Sequence, residues 1–359
     1  MANDIYFNKN KNTASYTNHD GFVEKLEGTP PPSDKAENGK PKKAKKNKTK
    51  KKHRVLRKLV AAVLCMIIVI SAGIIALSGL IFRNYTPEPL APNEYVDSSE
   101  LMSSMGVTNI LLMGVDNKNT NKSTRSDSMI LLSFDTVHGE VKLTSFMRDM
   151  YVYVPGYYNT KLTHACQYGG PQLTVDTIEY NFSIDIDGYV KIGYELLIEL
   201  VDALGGVTVA EISEVESKAL KKEGVSIEPG TDVHLDGNEA LQYCRIRKGQ
   251  SDFQRTERQR EVLTELINTA IKTSPTKLIS IATSLIEKVD SNISKDEFMS
   301  LGFKALRCFT GGVDQLQIPA DGTWSNATKN SMAVLVVDFE ANKNILDRFI
   351  YKDEDVTAK

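Results

Sequence analysis

A chain of 359 residues, 41% hydrophobic and 25% charged, has room for one large folded domain or two small ones with appendages. The net charge of −2 hides an asymmetry: residues 1–82 hold 16 of the 44 Lys+Arg but only 6 of the 46 Asp+Glu, so a basic leader precedes an acidic remainder. Four cysteines with no CxxC pair, and five dispersed histidines, exclude a small disulfide scaffold and an obvious zinc site.

Residues 1–58 are polar and rich in Lys, Asn and Pro, and are expected to be a disordered basic cytoplasmic tail. Leu59–Phe82 then runs 24 positions without a charge. At ~1.5 Å per helical residue this crosses the ~30 Å hydrocarbon core, and it predicts one transmembrane helix. A cleaved signal peptide would have a shorter apolar stretch and a far shorter leader. The dozen Lys/Arg between Lys40 and Lys58 keep the N-terminus inside and place everything after Arg83 outside the membrane. Without interleaved aromatics, that Lys-rich run reads as a topogenic segment in contact with membrane lipid, not as a nucleic-acid site.

Residues 83–104 hold three prolines and read as a linker. Strands are predicted at Thr108–Gly114, Ser128–Asp135 and Glu140–Met147, with a hairpin turn at 136–139. Helices follow at Pro171–Phe182 and Tyr194–Leu204, flanking a strand near Tyr189–Ile192, and Gly205-Gly206 caps the second. Next come a strand at Val207–Val209 and a helix at Asp236–Tyr243. A long helix over Asp252–Thr273 is announced by the Ser251/Gln254 capping box. Helices at Pro275–Val289 and Asp296–Phe309, strands at Gln315–Ile318 and Met332–Val337, and a helix at Glu340–Ile350 complete the pattern. The fold class is therefore α/β: a single extracytoplasmic domain over 105–350, with a mixed sheet covered by helices on both faces, an α/β/α sandwich. Residues 351–359 are left as a C-terminal tail.

Within this domain the charged residues that stand out are Asp116, Arg125, Asp127, Arg148, Asp149, Arg245, Arg247, Asp252, Arg255 and Arg258. Asp116 and Asp127 follow or precede apolar strands, where two carboxylates can share one Mg²⁺ (or Mn²⁺); singly, each is an ordinary turn carboxylate. Arg148-Asp149 ends a strand whose apolar positions imply burial, so the pair needs partners or a task. Arg245 and Arg247 put two guanidinium groups on one side of an extended segment, and Arg255, Arg258 and Gln259 stand near the positive end of a helix. Guanidinium forks match phosphate oxygens bidentately, and together the set suits a diphosphate. No P-loop and no Ser or Cys nucleophile motif is present. Cys166, Cys244 and Cys308 cannot all pair, and a Cys166–Cys244 bridge stays an open possibility.

The strings NILLMGVD (109–116), RSDSMILLSFD (125–135), SFMRDMYV (145–152), KLTHACQYGGP (161–171), DALGGVTV (202–209), LDGNEALQYCRIRKG (235–249) and DFQRTERQREVL (252–263) resemble, in this order, the motifs of the LytR–CpsA–Psr family of bacterial cell-envelope proteins. The resemblance implies transfer of an anionic glycopolymer from a polyprenyl-pyrophosphate carrier to peptidoglycan, outside the cell membrane of a Gram-positive-type bacterium and with Mg²⁺. It assigns the metal to Asp116 and Asp127. It assigns the diphosphate to Arg125, Arg148, Arg245, Arg247, Lys161, Arg255 and Gln259. Arg148, Asp149 and Asp127 become the catalytic candidates, and the apolar residues of 172–204 and 261–271 the walls of a lipid tunnel. Met147, Thr163 and Cys244 stand where the family pattern has other residues. Two other functions fit the same residues: a non-catalytic binding or regulatory protein for lipid-linked polymer, and a polyprenyl-diphosphate hydrolase. A transcription factor is excluded by the expected topology.

Overall fold

The computed structural model describes residues 6–8, 13–15, 79–115, 124–247, 251–308, 312–354 and 356. The chain divides into two compact units, residues 1–67 and 68–359. In the first, β1 (Tyr6–Asn8) and β2 (Thr13–Ser15) pair antiparallel. The predicted transmembrane run lies outside the described residues up to residue 78, and among the described residues no helix is long and apolar enough to cross a membrane.

The second unit is built on a six-stranded mixed sheet. Its strands are β3 (Val107–Val115), β4 (Ser126–Asp135), β5 (Glu140–Phe146), β8 (Gly188–Gly193), β11 (Asp290–Ser291) and β12 (Val313–Ile318), in the order β11-β8-β3-β4-β5-β12. β3, β4 and β5 form an antiparallel meander, and β8 and β12 join it in parallel on either side. Side chains alternate across a strand, so β3 and β4, apolar at consecutive positions, must be covered twice.

One face carries Leu111, Met113, Met129 and Leu131 into a core with Phe146 and the helices α1 (Thr163–Phe182) and α8 (Phe339–Leu346). The other carries Leu112 and Ile130 toward α2 (Tyr194–Leu204), α4 (Gly237–Arg245) and α5 (Asp252–Lys272), and Phe134 and Val141 toward α7 (Lys295–Cys308). A satellite core joins α2, α4 and α5 to α3 (Glu214–Lys222) and the hairpin β9 (Val207–Ile212)–β10 (Gly230–Leu235), with α6 (Pro275–Leu285) packed against it. Two more hairpins, β6 (Tyr151–Tyr153)–β7 (Asn159–Lys161) and β13 (Trp324–Lys329)–β14 (Met332–Val337), flank the α1 side.

Two glycines shape the helix layer, one by a close approach and one by its backbone conformation. A Cβ on Gly237 would stand 2.3 Å from the Ile198 carbonyl oxygen, so α4 can meet α2 only without a side chain there. Gly170, at φ 66°, lets the chain kink before Pro171. That kink corrects the sequence reading, which began the helix at Pro171: a short helical run precedes it and carries His164, Gln167 and Tyr168 toward the site. Sequence patterning also missed β6–β7, α3, β10 and β13. Each is short or polar, and its form comes from its partner strand or from a cap such as the Ser213/Glu216 capping box.

The segment 83–104 is extended and yet bound to the domain. Tyr85 is buried, its hydroxyl donating to the Ile293 carbonyl at 2.7 Å, and Asn93 donates to Glu179 at 2.9 Å. At the other end Asp353 pairs with the buried Lys142 at 2.7 Å, and the Tyr351 hydroxyl donates to the Met102 carbonyl. Cys166, Cys244 and Cys308 are buried free thiols, so the Cys166–Cys244 bridge is not formed.

Glu179 lies buried beneath this N-terminal strap. Burial pushes its pKa up to about 7, although Asn93 and the Ile186 N–H both favour its carboxylate form. In the unfolded chain the group ionises near its ordinary 4.5, so between those values the unfolded state sheds a proton that the folded state keeps. The stabilisation is therefore complete below pH 4.5 and is lost as pH rises through about 7. Glu179→Gln, followed by denaturant unfolding from pH 4 to 8, should gain on the order of 3 kcal/mol relative to the native chain across that range. A constant difference at all pH values would contradict this.

Candidate functional site

Four chain segments end at one place on the sheet. β4 begins with Asp127 as its second residue, and β5 runs out at Phe146, leaving Arg148 and Asp149 in the turn beyond. α4 stops at Arg245, and α5 starts at Asp252, its first turn held by the Ser251/Gln254 capping box expected from sequence. The end of α4 is secured from below by a residue that sequence reasoning gave only a supporting place. Arg258, buried, donates to the carbonyls of Tyr243 at 3.1 Å and Ile246 at 2.7 Å, and pairs with Glu216 at 3.1 Å. It satisfies helix-end acceptors and so fixes the turn that carries Arg245 and Arg247. Its guanidinium faces away from the candidate phosphate site.

Arg148 sits among three carboxylates from three segments. It lies 2.5 Å from Asp127, 3.3 Å from Asp252 and 3.9 Å from Asp149. Burial opposes its charge, but Asp252, Asp127 and Asp149 together outweigh that penalty and the net pKa shift is upward. Arg255 is 3% exposed; it pairs with Asp252 at 2.9 Å and donates to the Asp127 carbonyl at 3.1 Å. Burial lowers its pKa, and the charges of Arg148 and Arg247 add to that effect against the help of Asp252. Its Nε is buried without an acceptor. An anion arriving here would relieve both deficits.

Around this pair stand the remaining predicted residues. Lys161, at the end of β7, holds Asp149 at 2.8 Å, and Arg247, 58% exposed, reaches Asp127 at 3.5 Å. Arg245 lies over the ring of Tyr194, 4.7 Å from its centroid, and Gln259 reaches the Cys244 carbonyl at 3.5 Å. Arg125 turns instead to α1, donating to Gln167 at 2.9 Å, so it stands at the rim. Asp116 lies outside the described residues; Val115 before it pairs with Ser126. Thr163, one of the departures from the family pattern, donates from its hydroxyl to the Ser126 carbonyl at 2.8 Å and ties α1 to the start of β4. Among the described residues, Arg148, Lys161, Arg247 and Arg255 pair with Asp127, Asp149 and Asp252 while Arg125 and Arg245 stand nearby, an excess of cations suited to a ligand with more than one negative charge.

From Asp127, Arg245, Arg247, Arg255 and Gln259 an apolar cleft leads inward. Leu112 and Ile130 of the sheet form its floor, and Leu197, Leu200, Leu241, Val262, Leu263 and Leu266 of α2, α4 and α5 form its walls. The expected walls at 261–271 and 194–204 are present. Those at 172–182 are not: Leu173, Val175, Ile178 and Phe182 fill the core on the opposite face of the sheet. Leu112 and Ile130 were missed, although the consecutive apolar residues of NILLMG were a legible sign of a strand with two faces to cover. The cavity joins a cationic mouth to an apolar interior, the shape of a ligand with a charged head and a hydrocarbon tail.

Residues 84–348 match the family model described as the LytR_cpsA_psr family. The chain is 33% identical over 246 residues to the polyisoprenyl-teichoic acid–peptidoglycan teichoic acid transferase TagU of Halalkalibacterium halodurans, spanning 67% of this chain and 79% of that protein. To the corresponding transferase TagT of Bacillus subtilis it is 39% identical over 166 residues, 44% of this chain and 51% of that one. Among solved structures, TagT bound to LIIa-WTA superposes with a TM-score of 0.61 at 27% identity, covering 74% of this chain and 98% of that one. TagT with bound octaprenyl pyrophosphate lipid superposes at 0.58 and 26%, covering 73% and 99%.

Asp252 thus serves as a resident anion for two arginines. Asp252→Ala leaves Arg255 buried without a carboxylate and should cost about 3 kcal/mol. Added inorganic pyrophosphate should recover more of the thermal midpoint in the variant than it adds to the native protein. Equal shifts in both would show that Asp252 and the added anion do not serve the same arginines.

Proposed function

Because the chain belongs to the LytR–CpsA–Psr family, we propose that it is a membrane-anchored phosphotransferase moving an anionic glycopolymer, of the teichoic acid class its relatives are named for, from a polyprenyl-pyrophosphate carrier to peptidoglycan. The observation that carries this reading is the joining of an arginine-lined mouth to the apolar cleft, which suits a diphosphate on a long hydrocarbon tail. Leu59–Phe82 anchors the chain in the cell membrane, with the basic tail inside and the domain outside.

In the reaction an acceptor sugar hydroxyl attacks the phosphorus nearer the polymer. A new O–P bond forms, the bridging P–O bond breaks, and polyprenyl phosphate leaves with the bridging oxygen. Arg255, buried, and Arg148, partly buried and oriented by its carboxylates, bind the charge that develops on the leaving phosphate, and Arg245 and Arg247 close over it. Asp149 takes the acceptor proton. It is favoured over Asp127 because it stands at the rim beside Lys161, while Asp127 is assigned to the cation.

Asp127, a hard oxygen donor 29% exposed at the mouth, suits a divalent cation, and the more distant of its two arginine partners, Arg247, is itself exposed. Asp127 with Asp116 would hold Mg²⁺, or Mn²⁺, which neutralises diphosphate charge when bound.

Full-length protein with lipid-diphosphate donor, glycan acceptor and Mg²⁺ should release polyprenyl phosphate and label the acceptor. Arg148→Ala and Asp127→Ala should each lose at least about a hundredfold in turnover while unfolding cooperatively. Chelation should abolish turnover and Mg²⁺ restore it. Full activity in both variants would refute the assignment; release that ignores the acceptor would identify a hydrolase.

A further inference from the structure

Beside the cationic mouth stands a group of aromatic rings that the diphosphate site does not use: Tyr168, which packs against the main core, and two exposed tyrosines resting on it. The β6–β7 turn presents Tyr157 and Tyr158 at 48% and 54% exposure, high for large amphipathic rings. They are held in place. Tyr157 stacks on Tyr168 of α1 with centroids 4.9 Å apart and planes 21° from parallel, and Tyr158 leans on the same ring at 6.1 Å. The Tyr158 and Tyr168 hydroxyls share a hydrogen bond of 2.9 Å, and the Tyr157 hydroxyl donates to the Tyr168 carbonyl. The turn beneath is closed by Tyr157 N–H to the Val154 carbonyl, with Gly156 at φ 75°. A preordered aromatic shelf loses little entropy on binding.

Its position indicates what it meets. Gln167, next to Tyr168, accepts from Arg125, and His164 packs on the Tyr168 ring at 5.9 Å. Three residues past Tyr158, roughly 10 Å along an extended strand, is Lys161, the partner of Asp149. The shelf therefore continues the site from Asp149 outward on the α1 side, whereas the cleft for the tail leaves it between the other sheet face and α2, α4 and α5. The electron-rich faces of phenol rings attract the C–H face of an uncharged sugar and favour it over an anion stacked on the ring.

We infer that Tyr157, Tyr158 and Tyr168 form the acceptor platform, on which an uncharged sugar ring of the peptidoglycan strand stacks while one of its hydroxyls is presented to Asp149. This rests on the transferase reading above. It makes Tyr157 and Tyr158 positioning residues, specific for the acceptor.

The test is equilibrium binding of an uncharged N-acetylglucosamine oligomer to the full-length protein in detergent, read by calorimetry. The native chain should bind saturably. Tyr157→Ala/Tyr158→Ala should weaken binding about tenfold or more, and Tyr157→Phe/Tyr158→Phe, which keeps the rings, should stay within about twofold. In transfer assays the alanine pair should raise KM for the acceptor with kcat and donor KM little changed. Absence of saturable binding by the native protein, or equal binding by the alanine pair, would overturn the inference. So would a rise confined to donor KM, which makes the shelf a donor contact. Loss of binding to phosphatidylglycerol vesicles with glycan affinity intact would make it a membrane contact. Because the binding arm needs no turnover, an inactive native enzyme would sink the transferase reading and leave the shelf to be judged by its isotherm.

Discussion

A strand that is apolar on both faces has to be covered on both, and this constraint organises the molecule. β3 and β4 send Leu111, Met113 and Leu131 into the main core and Leu112 and Ile130 to the opposite side. The core face is closed tightly by α1 and α8. The other face is roofed by α2, α4 and α5, which pack on one another through the satellite core and leave a cleft above the sheet. The cleft is thus a by-product of two cores that meet incompletely. Its walls are held by contacts behind them, so an apolar ligand can occupy it without the helices collapsing onto the strands.

The cationic mouth follows from where those elements stop. Strand and helix ends bring Asp127, Arg148, Arg245 and Asp252 to one rim, and each arrives with backbone groups or charges that need partners. Three carboxylates around Arg148 keep an otherwise costly buried charge in place. The arrangement is under-neutralised at Arg255, and that imbalance is what a phosphate ligand would correct. Arg258 shows how proximity in sequence misleads. Three residues from Arg255 and of the same type, it serves the end of α4 through Tyr243 and Ile246 and never reaches the mouth.

Much of this is legible in the amino-acid sequence. The meander, the capped α5 and the glycine-closed α2 have local signals: alternation, a Ser/Gln capping box, Gly205-Gly206. The ordered motifs name nearly every residue at the mouth. What they do not reveal is how side chains on one element divide their loyalties. Arg125 goes to Gln167 and Arg245 lies on Tyr194. The residues of 172–182, apolar and helical like those of 194–204, pack on the other side of the sheet, in the same core as Leu162, Ala165 and Cys166 before the kink at Gly170.

The sequence by itself determined the α/β class, the membership of the motif set and the identity of the charged residues, since these depend on residue type and spacing along the chain. Only the tertiary structure decided which arginine is buried and short of acceptors, that each carboxylate of the mouth is engaged by two cations, and that three tyrosines from a turn and a helix form one surface. Those are properties of distance between segments far apart in the chain, and distance is set by packing.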